Sequence, residues 1–522
     1  ITAREQGAGM EKNKRTIIPG PPGTGKTYRL LNHYMLREIN ELKTNPEKIC
    51  YITFSKPAAE EAKERFAELF PGKKIGYIGT MHALGVKELG IDVGAKLLKG
   101  NSQWNQFKLY EPMAAGLKTD VTYDPITGKP RFKDKILDVR DYAKNKKISL
   151  EEAAVEKGLA GWDDIYKAEQ IDASLDQYKK ETGVIEFYDM IKMFPEKIKG
   201  KDELFDVVFL DEAQDLNALQ WDMFFEIEKK TQRSFIAGDD DQTIFGFQGA
   251  EATTFINLKG VIDEQIQSRR VPRSVHRVAL QILGRIEERR SKNWEARDEE
   301  GEVFNNVAIE DIDFSSGKWM ILARTNKLCG QAQEHLYMKG LRYEYSGASY
   351  LLKEVMTAYR TWIRLNQGAN INVKDVKVMY AFLKVKLKQI TRGFSSGKTL
   401  DSLDSVTLEE LKTNHGLLVE GSWEHLDFPE DTKDFMKYLI KNGDDLMKEA
   451  DISIMTLHGS KGKECENVVL YTDWGADEYQ SNFIESEFEN SPDNEHRLFF
   501  VGVTRTKQRL YILRSERNGY VI

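Results

Sequence analysis

Short runs of apolar residues, each followed by a polar or glycine-rich motif, recur along the chain and predict buried parallel strands. The runs are RTIIP at 15–19, ICYITF at 49–54, DVVFL at 206–210 and SFIA at 234–237. Apolar residues at helical spacing follow the first run, in YRLLNHYMLREINEL at 28–42. Continuous apolar runs are typical of strands that are covered on both faces. We therefore predict an α/β fold in which parallel sheets are flanked by helices.

The loop after the first run matches the phosphate-binding motif GxxxxGK[ST]. Its glycines allow backbone N–H groups to turn inward around phosphates, and the following helix N-terminus adds positive potential. We expect Lys26 to reach the β- and γ-phosphates and Thr27 to bind Mg²⁺. The predicted nucleotide-binding residues of this loop are Gly20, Gly23, Thr24, Gly25, Lys26 and Thr27. The motif indicates a nucleoside triphosphate site and does not reveal what the hydrolysis drives.

Two further predicted strands end in side chains that suit triphosphate hydrolysis. Asp211 and Glu212 follow DVVFL, at the sheet edge where open α/β folds place ligands. We expect Asp211 to hold Mg²⁺ and Glu212 to polarise the attacking water. Gln242, in GDDDQ, is placed to contact that water or the γ-phosphate. The nearby rings of Phe245 and Phe247 have two interpretations, as core residues or as exposed rings that stack on a base.

Motif-like segments recur in a fixed order from about residue 17 to the end. They are PGPPGTGKT, ITFSKPAAEEAKERF, IGTMHALGVKEL, IEFYDMI, LDEAQDLN, AGDDDQTIFGFQGA, QSRRVPRSVHRVA, ILARTNKLCGQAQEHL, ISIMTLHGSKGKECENVVL and EHRLFFVGVTRTKQRL. This ordered set resembles the motifs of superfamily 1A DNA helicases of the UvrD/Rep/PcrA type. The resemblance implies two RecA-like P-loop motor domains with ATP bound between them, and mainly helical inserted subdomains. It also implies that ATP hydrolysis drives movement along single-stranded DNA, in the 3′ to 5′ direction.

Further site residues are carried over from this resemblance. Arg270 and Arg505 match arginines of the second motor domain that stabilise γ-phosphate charge, and Glu464 matches a glutamate that contacts the nucleotide. Phe247 takes the place of a base-stacking tryptophan. The predicted catalytic residues are Lys26, Asp211, Glu212, Gln242, Arg270 and Arg505. The predicted DNA contacts are Thr53, Phe54, Ser55, Lys56, Thr80, His82, Tyr188, Phe247, Thr456 and His458.

Three positions depart from the family pattern. The family's adenine-reading glutamine precedes the motif lysine by a distance that corresponds here to Gln6, which lies in a polar stretch. We expect Met10 to be the native first residue, which would remove that glutamine. Arg269 stands where the family has a tyrosine that stacks on the adenine side, and Gln248 stands where an arginine is common. The preference for ATP over other triphosphates is therefore left open by the sequence.

The motifs also divide the chain into domains. We predict motor domain 1A at 1–90 and 187–265, with an inserted domain 1B at 91–186. Motor domain 2A is predicted at 266–365 and 451–522, with a small inserted domain 2B at 366–450. The 2B segment is near half the length expected from the resemblance.

Composition sets limits on these hypotheses. The chain has 522 residues, a net charge of −7, and 40% hydrophobic and 30% charged residues, which is typical of a globular protein. The acidic balance argues mildly against nucleic-acid binding, but one groove can still be lined with lysine and arginine. The sequence has no apolar run of about 18 residues, so we expect no membrane span. Three widely spaced cysteines fit a reducing cytoplasm. We expect that cytoplasm to be one of a bacterial or phage-infected cell.

The motif set favours an ATP-dependent DNA helicase or single-stranded DNA translocase, with ATP and Mg²⁺ as cofactors. Its expected partners are single-stranded DNA, junctions between single and double strands, and unidentified repair or replication proteins. The alternatives are an RNA or RNA/DNA helicase, and a nucleic-acid-binding ATPase scaffold without unwinding. The helicase-like motifs disfavour a P-loop switch or kinase, but the sugar of the substrate strand cannot be read from sequence.

Overall fold

Two six-stranded parallel sheets dominate the structure, a computed structural model. It describes residues 14–92, 96–98, 101–118, 121–123, 130–132, 134–158, 161–345, 353–473, 492–515 and 519–522. Gln6 and Met10, on which the sequence predictions about adenine and the chain start depend, lie outside the described residues. Within the described ranges, no helix has the length and apolar character needed to cross a membrane.

The described strands fall in the following order along the chain. They are β1 (Lys14–Pro19), β2 (Ile49–Thr53), β3 (Tyr77–Gly79), β4 (Val121–Tyr123), β5 (Pro130–Phe132), β6 (Phe205–Asp211), β7 (Thr231–Gly238), β8 (Val261–Ile262), β9 (Gln267–Pro272), β10 (Glu295–Arg297), β11 (Glu302–Val307), β12 (Trp319–Ala323), β13 (Tyr343–Tyr345), β14 (Ile371–Asn372), β15 (Ser405–Val406), β16 (Ile452–Thr456), β17 (Cys465–Leu470) and β18 (Thr506–Leu513).

The described α-helices are numbered in the same way. They are α1 (Lys26–Arg29), α2 (Leu36–Asn40), α3 (Lys56–Leu69), α4 (Met81–Leu89), α5 (Asn101–Tyr110), α6 (Lys135–Lys146), α7 (Leu150–Glu156), α8 (Trp162–Thr182), α9 (Phe187–Ile198), α10 (Ala218–Lys229), α11 (Ala252–Ile256), α12 (Arg273–Leu283), α13 (Asn326–Met338), α14 (Lys353–Asn366), α15 (Val373–Tyr380), α16 (Leu408–Asn414), α17 (Glu430–Lys441) and α18 (Pro492–Val503). A π-helical segment, Leu30–Met35, joins α1 to α2.

The first sheet has the strand order β3-β2-β6-β7-β1-β8, and its paired strands are parallel. Successive side chains of a strand face opposite sides of the sheet, so a strand covered on both sides must be apolar throughout. Accordingly, Ile17 and Val208 pack in one core cluster. Ile18 and Phe209 pack in the cluster on the other side. This double coverage explains the continuous apolar runs of the sequence.

The second sheet has the strand order β11-β18-β17-β12-β16-β13, and its paired strands are also parallel. Val468 packs in one of its core clusters and Val469 in the other. The predicted α/β class, with parallel sheets flanked by helices, is therefore confirmed. The strand β9 lies outside both sheets and pairs with β10.

Two mainly helical segments interrupt the sheets. The first contains α5 to α8 and the antiparallel pair β4–β5. The second contains α15 to α17 and the antiparallel pair β14–β15. The buried ring of Trp362, on α14, packs in the core of this second segment rather than in the cores of the second sheet. We therefore propose that the small inserted domain begins at α14 and not at residue 366.

Candidate active site

The phosphate-binding loop connects β1 to α1 at the carboxyl edge of the first sheet. Gly23 and Gly25 have φ values of 76° and 84°, in the left-handed region that glycine adopts without a steric penalty. Lys26 is buried, and its Nζ donates a hydrogen bond to the carbonyl oxygen of Gly20 at 2.7 Å. A phosphate oxygen can replace this neutral acceptor, because a charge-assisted hydrogen bond is the stronger one. The loop therefore has the conformation and the cation that a triphosphate requires.

Thr27 and Asp211 meet directly behind the loop. The Thr27 hydroxyl donates to Oδ2 of Asp211 at 2.7 Å, and the Tyr51 hydroxyl donates to the same oxygen at 2.8 Å. Burial and the neighbouring Glu212 carboxylate raise the pKa of Asp211 to about 6. A hydroxyl and a carboxylate side by side fit Mg²⁺, which takes oxygen ligands and retains several waters. Sequence reasoning missed Tyr51, because it looks like an ordinary strand residue.

Glu212 has an unusual backbone conformation, with a φ of 54° at a non-glycine position. Its Oε2 accepts a hydrogen bond from Nε2 of Gln214 at 2.6 Å. Burial opposes ionisation, but the positive charges of Lys461 and Lys26 outweigh it and lower the pKa of Glu212. The two adjacent carboxyl groups therefore differ in acidity, and Glu212 is the one that stays ionised and able to accept a proton from water.

Gln242 and Arg505 connect the two sheets. Nη2 of Arg505 donates to Oε1 of Gln242 at 2.8 Å. The other hydrogen bonds of the guanidinium go to uncharged oxygens, of Val501, Lys463 and Thr504. Burial and the nearby Arg270 lower the pKa of Arg505 to about 9. A buried cation whose hydrogen-bond acceptors are uncharged is poised to receive an anion.

Arg270 lies on β9, against the phosphate loop. Its Nε is 2.6 Å from Oε2 of Glu464, and Lys507 contacts the other oxygen of that carboxylate. Burial alone would raise the pKa of Glu464, but Lys507 and Arg270 lower it. The backbone N–H of Arg269 donates to the carbonyl oxygen of Gly23 at 2.8 Å. The structure therefore brings both predicted arginines and Glu464 to the same cleft as Lys26.

Lys461 is a site residue that was not singled out in the sequence. Its Nζ lies 2.6 Å from the Asp215 carboxylate and 2.6 Å from the carbonyl oxygen of Gln242. Burial raises the pKa of Asp215 to about 7, although the nearby Lys461 charge opposes this. The sequence does contain a signal for this role, because Lys461 lies inside the motif-like segment ISIMTLHGSKGKECENVVL. It is a second cationic link between the two sheets.

The predicted DNA contacts Phe54, Phe247 and His458 come together in one aromatic cluster. The ring centroids of Phe247 and His458 are 5.3 Å apart in an edge-on arrangement. Phe54 and Phe247 each pack against Phe245, at 5.0 and 6.0 Å. Phe245 itself is only 1% exposed, so it is a core residue and its alternative interpretation as a base-stacking ring is wrong. Thr456 begins the turn that leads to His458, because its Oγ1 accepts a hydrogen bond from the Gly459 N–H at 3.2 Å.

Two of the three hydroxyls that are predicted to contact DNA phosphates at this edge are also helix caps, and the third is covered. Oγ of Ser55 accepts from the Ala58 N–H at 3.3 Å, and Oγ1 of Thr80 accepts from the Ala83 N–H at 3.4 Å. Both residues are thus N-caps, of α3 and α4. Thr53 is 1% exposed, so its hydroxyl does not reach the surface. An oxygen that accepts a cap hydrogen bond can still donate its own hydrogen, so the hydroxyls of Ser55 and Thr80 stay predicted phosphate contacts, beside the exposed Lys56 side chain and the helix N-termini.

His82 and Tyr188 lie close to the helical insertion. The His82 ring is 5.9 Å from the ring of Phe187, which begins α9. Tyr188 is half-buried between the ammonium groups of Lys144 and Lys192, at 5.2 and 5.4 Å from its ring centre. It lines a cavity of about 380 Å³ at the first inserted segment. Tyr188 is therefore separate from the Phe247 cluster but in a basic environment.

The two parallel sheets and the loop between β1 and α1 define a P-loop protein with two RecA-like domains. Models of the UvrD/REP helicase N-terminal domain and of the UvrD-like helicase C-terminal domain match residues 2–262 and 380–517, respectively. The chain therefore belongs to the UvrD/REP helicase family.

Curated relatives show the same similarity over nearly the whole chain. The ATP-dependent DNA helicase PcrA of Bacillus subtilis (strain 168) is 24% identical, over 96% of this chain and 80% of the relative. The putative ATP-dependent DNA helicase YjcD of the same organism is also 24% identical, over 95% and 76%. The DNA helicase II of Rickettsia typhi is 22% identical, over 99% and 92%.

Proposed function

We propose that this chain is an ATP-dependent DNA helicase that moves 3′ to 5′ along single-stranded DNA and separates strands at junctions. The observation that supports coupling of hydrolysis to movement is the hydrogen bond between Arg505, next to the second sheet, and Gln242, next to the first. It lies in the cleft that also contains Lys26 and Arg270. The 3′ to 5′ direction is what the family resemblance implies. Family membership supports the helicase activity, and the relatives' names support ATP and DNA as its substrates.

The hydrolysis step is assigned to side chains of both sheets. Lys26, Arg270 and Arg505 would pair with phosphate charge, and Thr27 with Asp211 would hold Mg²⁺, which neutralises phosphate charge when bound. Glu212 accepts the proton of the attacking water, because its lowered pKa keeps it ionised at neutral pH. Gln242 orients that water. Lys461 holds Asp215 and the Gln242 backbone in place.

Movement would follow from the position of the cations. The phosphate charge is paired on all sides only while the two sheets are close, so loss of the γ-phosphate leaves Arg505 as an unpaired buried cation and favours opening. The cluster of Phe247 and His458 spans the same two sheets and would change its spacing when they separate. Base stacking on Phe247 and phosphate contacts at Lys56 and the nearby helix N-termini would transmit this change to the strand.

The function can be tested by measuring ATP hydrolysis with single-stranded DNA, duplex DNA or RNA at saturating concentration. We expect many-fold stimulation by single-stranded DNA and less by the other two. Fork substrates with only a 3′ or only a 5′ tail report direction, and we expect unwinding from the 3′ tail alone. Hydrolysis that does not respond to single-stranded DNA would exclude the motor. Equal or greater stimulation by RNA would favour the RNA helicase alternative.

Base preference is predicted from the pair Tyr28 and Arg269. The guanidinium of Arg269 lies over the Tyr28 ring, 5.7 Å from its centre, beside the phosphate loop. We propose that this pair stacks on the base, and stacking is tolerant of base identity. We therefore expect kcat/KM for ATP and GTP to agree within about tenfold, since no base-specific hydrogen bond is involved in stacking.

The matched variants are Tyr28→Ala and Tyr166→Ala, because the two tyrosines are 52% and 58% exposed and only Tyr28 lies at the loop. Tyr28→Ala is expected to raise KM for both nucleotides by about 5- to 100-fold, the loss of one stacking contact. Tyr166→Ala should leave both values unchanged. A strong preference for ATP that survives in Tyr28→Ala would show that other groups read the base.

A further inference from the structure

A short segment between α12 and β10 carries two basic side chains to the GDDDQ motif. We name residues 285–294 the basic strap. Arg289 forms two hydrogen bonds with the Asp241 carboxylate, at 2.8 and 2.7 Å. Nζ of Lys292 lies 2.6 Å from Asp239, 2.5 Å from Asp240 and 2.8 Å from Asp241. The Lys292 side chain is 1% exposed, so these contacts are shielded from water.

The basic strap is anchored on the second sheet's side of the molecule. The Asp493 carboxylate, on α18, accepts hydrogen bonds from the backbone N–H groups of Glu287 and Glu288, each at 2.9 Å. The Trp294 ring packs against Phe500, also on α18, at 5.7 Å. The aspartates follow β7 of the first sheet. The strap therefore joins the two halves of the cleft through a buried ionic cluster.

The charges in this cluster depend on one another. Three consecutive carboxylates are buried together, and Lys292 and Arg289 are the cations that face them. Burial disfavours the charged lysine, but Asp239, Asp241 and Asp240 outweigh it, so the pKa of Lys292 is raised. Removing one partner of a buried ionic cluster leaves an uncompensated charge, which is more damaging than losing an exposed pair.

The cluster leads directly to the hydrolysis site. Oδ1 of Asp239 accepts from Lys292, while its Oδ2 accepts from Nε2 of Gln242 at 2.6 Å. This second bond turns the Gln242 amide so that its oxygen faces Arg505, 2.8 Å away. A continuous chain of polar contacts thus runs from Lys292 through Asp239 and Gln242 to Arg505, and both of its ends belong to the second sheet's side.

We infer that Lys292 is a positioning residue for ATP hydrolysis, because it holds Asp239 and thereby fixes the orientation of the Gln242 amide when the cleft is closed. The inference rests on the proposed function, in which Gln242 orients the attacking water. Closure of the cleft then does two things together: it brings Arg505 to the site and it locks the amide that Arg505 contacts. An open cleft would lack both.

The test compares Lys292→Met with the wild-type chain in ATP hydrolysis stimulated by single-stranded DNA. Methionine keeps much of the lysine's length and removes its charge. We expect kcat to fall about 10- to 100-fold, the loss of hydrogen bonds to a charged group, with KM for ATP changed less than about threefold. Binding of single-stranded DNA should be unchanged. Arg277→Met is the control, because Arg277 pairs with Glu300 at the surface of the neighbouring helix α12.

A second variant separates positioning from general stability. Asp240→Asn combined with Lys292→Met removes one negative and one positive charge, so it relieves the charge imbalance but does not restore the contact to Asp239. We therefore expect kcat of the double variant to stay about 10- to 100-fold below that of the wild type. Unchanged kcat in Lys292→Met would overturn the inference. So would a double variant whose kcat returns to within about threefold of the wild type, because Lys292 would then act through charge balance and not by holding Asp239.

If Lys292→Met does not fold, Asp239→Asn carries the test, because the new amide cannot accept both hydrogen bonds. We expect kcat to fall roughly tenfold or more, because both hydrogen bonds to the charged Asp239 carboxylate are affected. A kcat equal to that of the wild type would overturn the inference. In all these assays, a wild-type chain that single-stranded DNA does not stimulate would contradict the proposed function instead.

Discussion

Replacement of Arg505 by alanine is expected to lower the DNA-stimulated turnover of ATP by roughly 10³-fold or more, the effect of removing an arginine finger. The guanidinium is buried, and its hydrogen-bond acceptors are uncharged oxygens, so its charge is available to the γ-phosphate. The measurement is kcat at saturating ATP and single-stranded DNA. DNA binding without nucleotide should persist, because Arg505 lies in the cleft and not in the aromatic cluster.

The control for this variant is Arg509→Ala, since Arg509 is exposed on β18 and pairs with Glu302. It should keep wild-type turnover. Arg505→Lys should recover little, because an ammonium cannot reproduce the planar arrangement of donors that a guanidinium offers. A kcat for Arg505→Ala within about threefold of the wild type would show that this buried charge does not face the transferred phosphate.

The second large effect is expected for Glu212→Gln, which keeps the shape of the side chain and removes its charge. Loss of a general base typically lowers the rate by about 10²- to 10⁴-fold. ATP affinity should be retained or increased, because the like charge that repels the triphosphate is removed. Nucleotide binding and single-turnover hydrolysis, measured separately, distinguish these two effects.

The ionisation of Glu212 should not change with pH near neutrality, so it should not make wild-type turnover depend on pH there. Its pKa is lowered, so the carboxylate is ionised at neutral pH and is protonated, and thus unable to act as a base, only in acid.

The matched control for Glu212→Gln is Glu226→Gln, because Glu226 lies on α10 and pairs with Lys229 at the surface. Wild-type turnover in Glu212→Gln would exclude Glu212 as the proton acceptor.

Much of this site could be predicted because it lies at the ends of apolar runs. Residues such as Lys26, Asp211 and Gln242 follow strands whose composition alone indicates burial, and parallel strands bring their carboxyl ends to one edge. The class of fold followed from the same pattern. Matching motifs then indicated that Arg270 and Arg505 would come from a second domain, and the structure places both in the cleft.

Other features depend on tertiary contacts that the local sequence does not encode. Tyr51 contacts Asp211 only because β2 pairs with β6. Lys292 lies in a segment without a motif, and its partners are about 50 residues away in sequence. Phe245 and Phe247 are equally apolar, so only packing separates the core ring from the half-exposed one. Packing alone also shows where α14 belongs, because its Trp362 ring packs with the small insertion rather than with the second sheet.

Gly23 gives the phosphate loop a consequence beyond nucleotide binding. A Cβ atom at this position would lie 2.6 Å from Cβ of Arg270 and 2.7 Å from Oγ of Ser268. The absence of a side chain at Gly23 therefore allows the phosphate loop to lie directly against β9. Even a single methyl group at this position would force the loop or β9 to shift. The contact between the two sides of the cleft thus depends on a glycine in the same loop whose conformation suits phosphate binding.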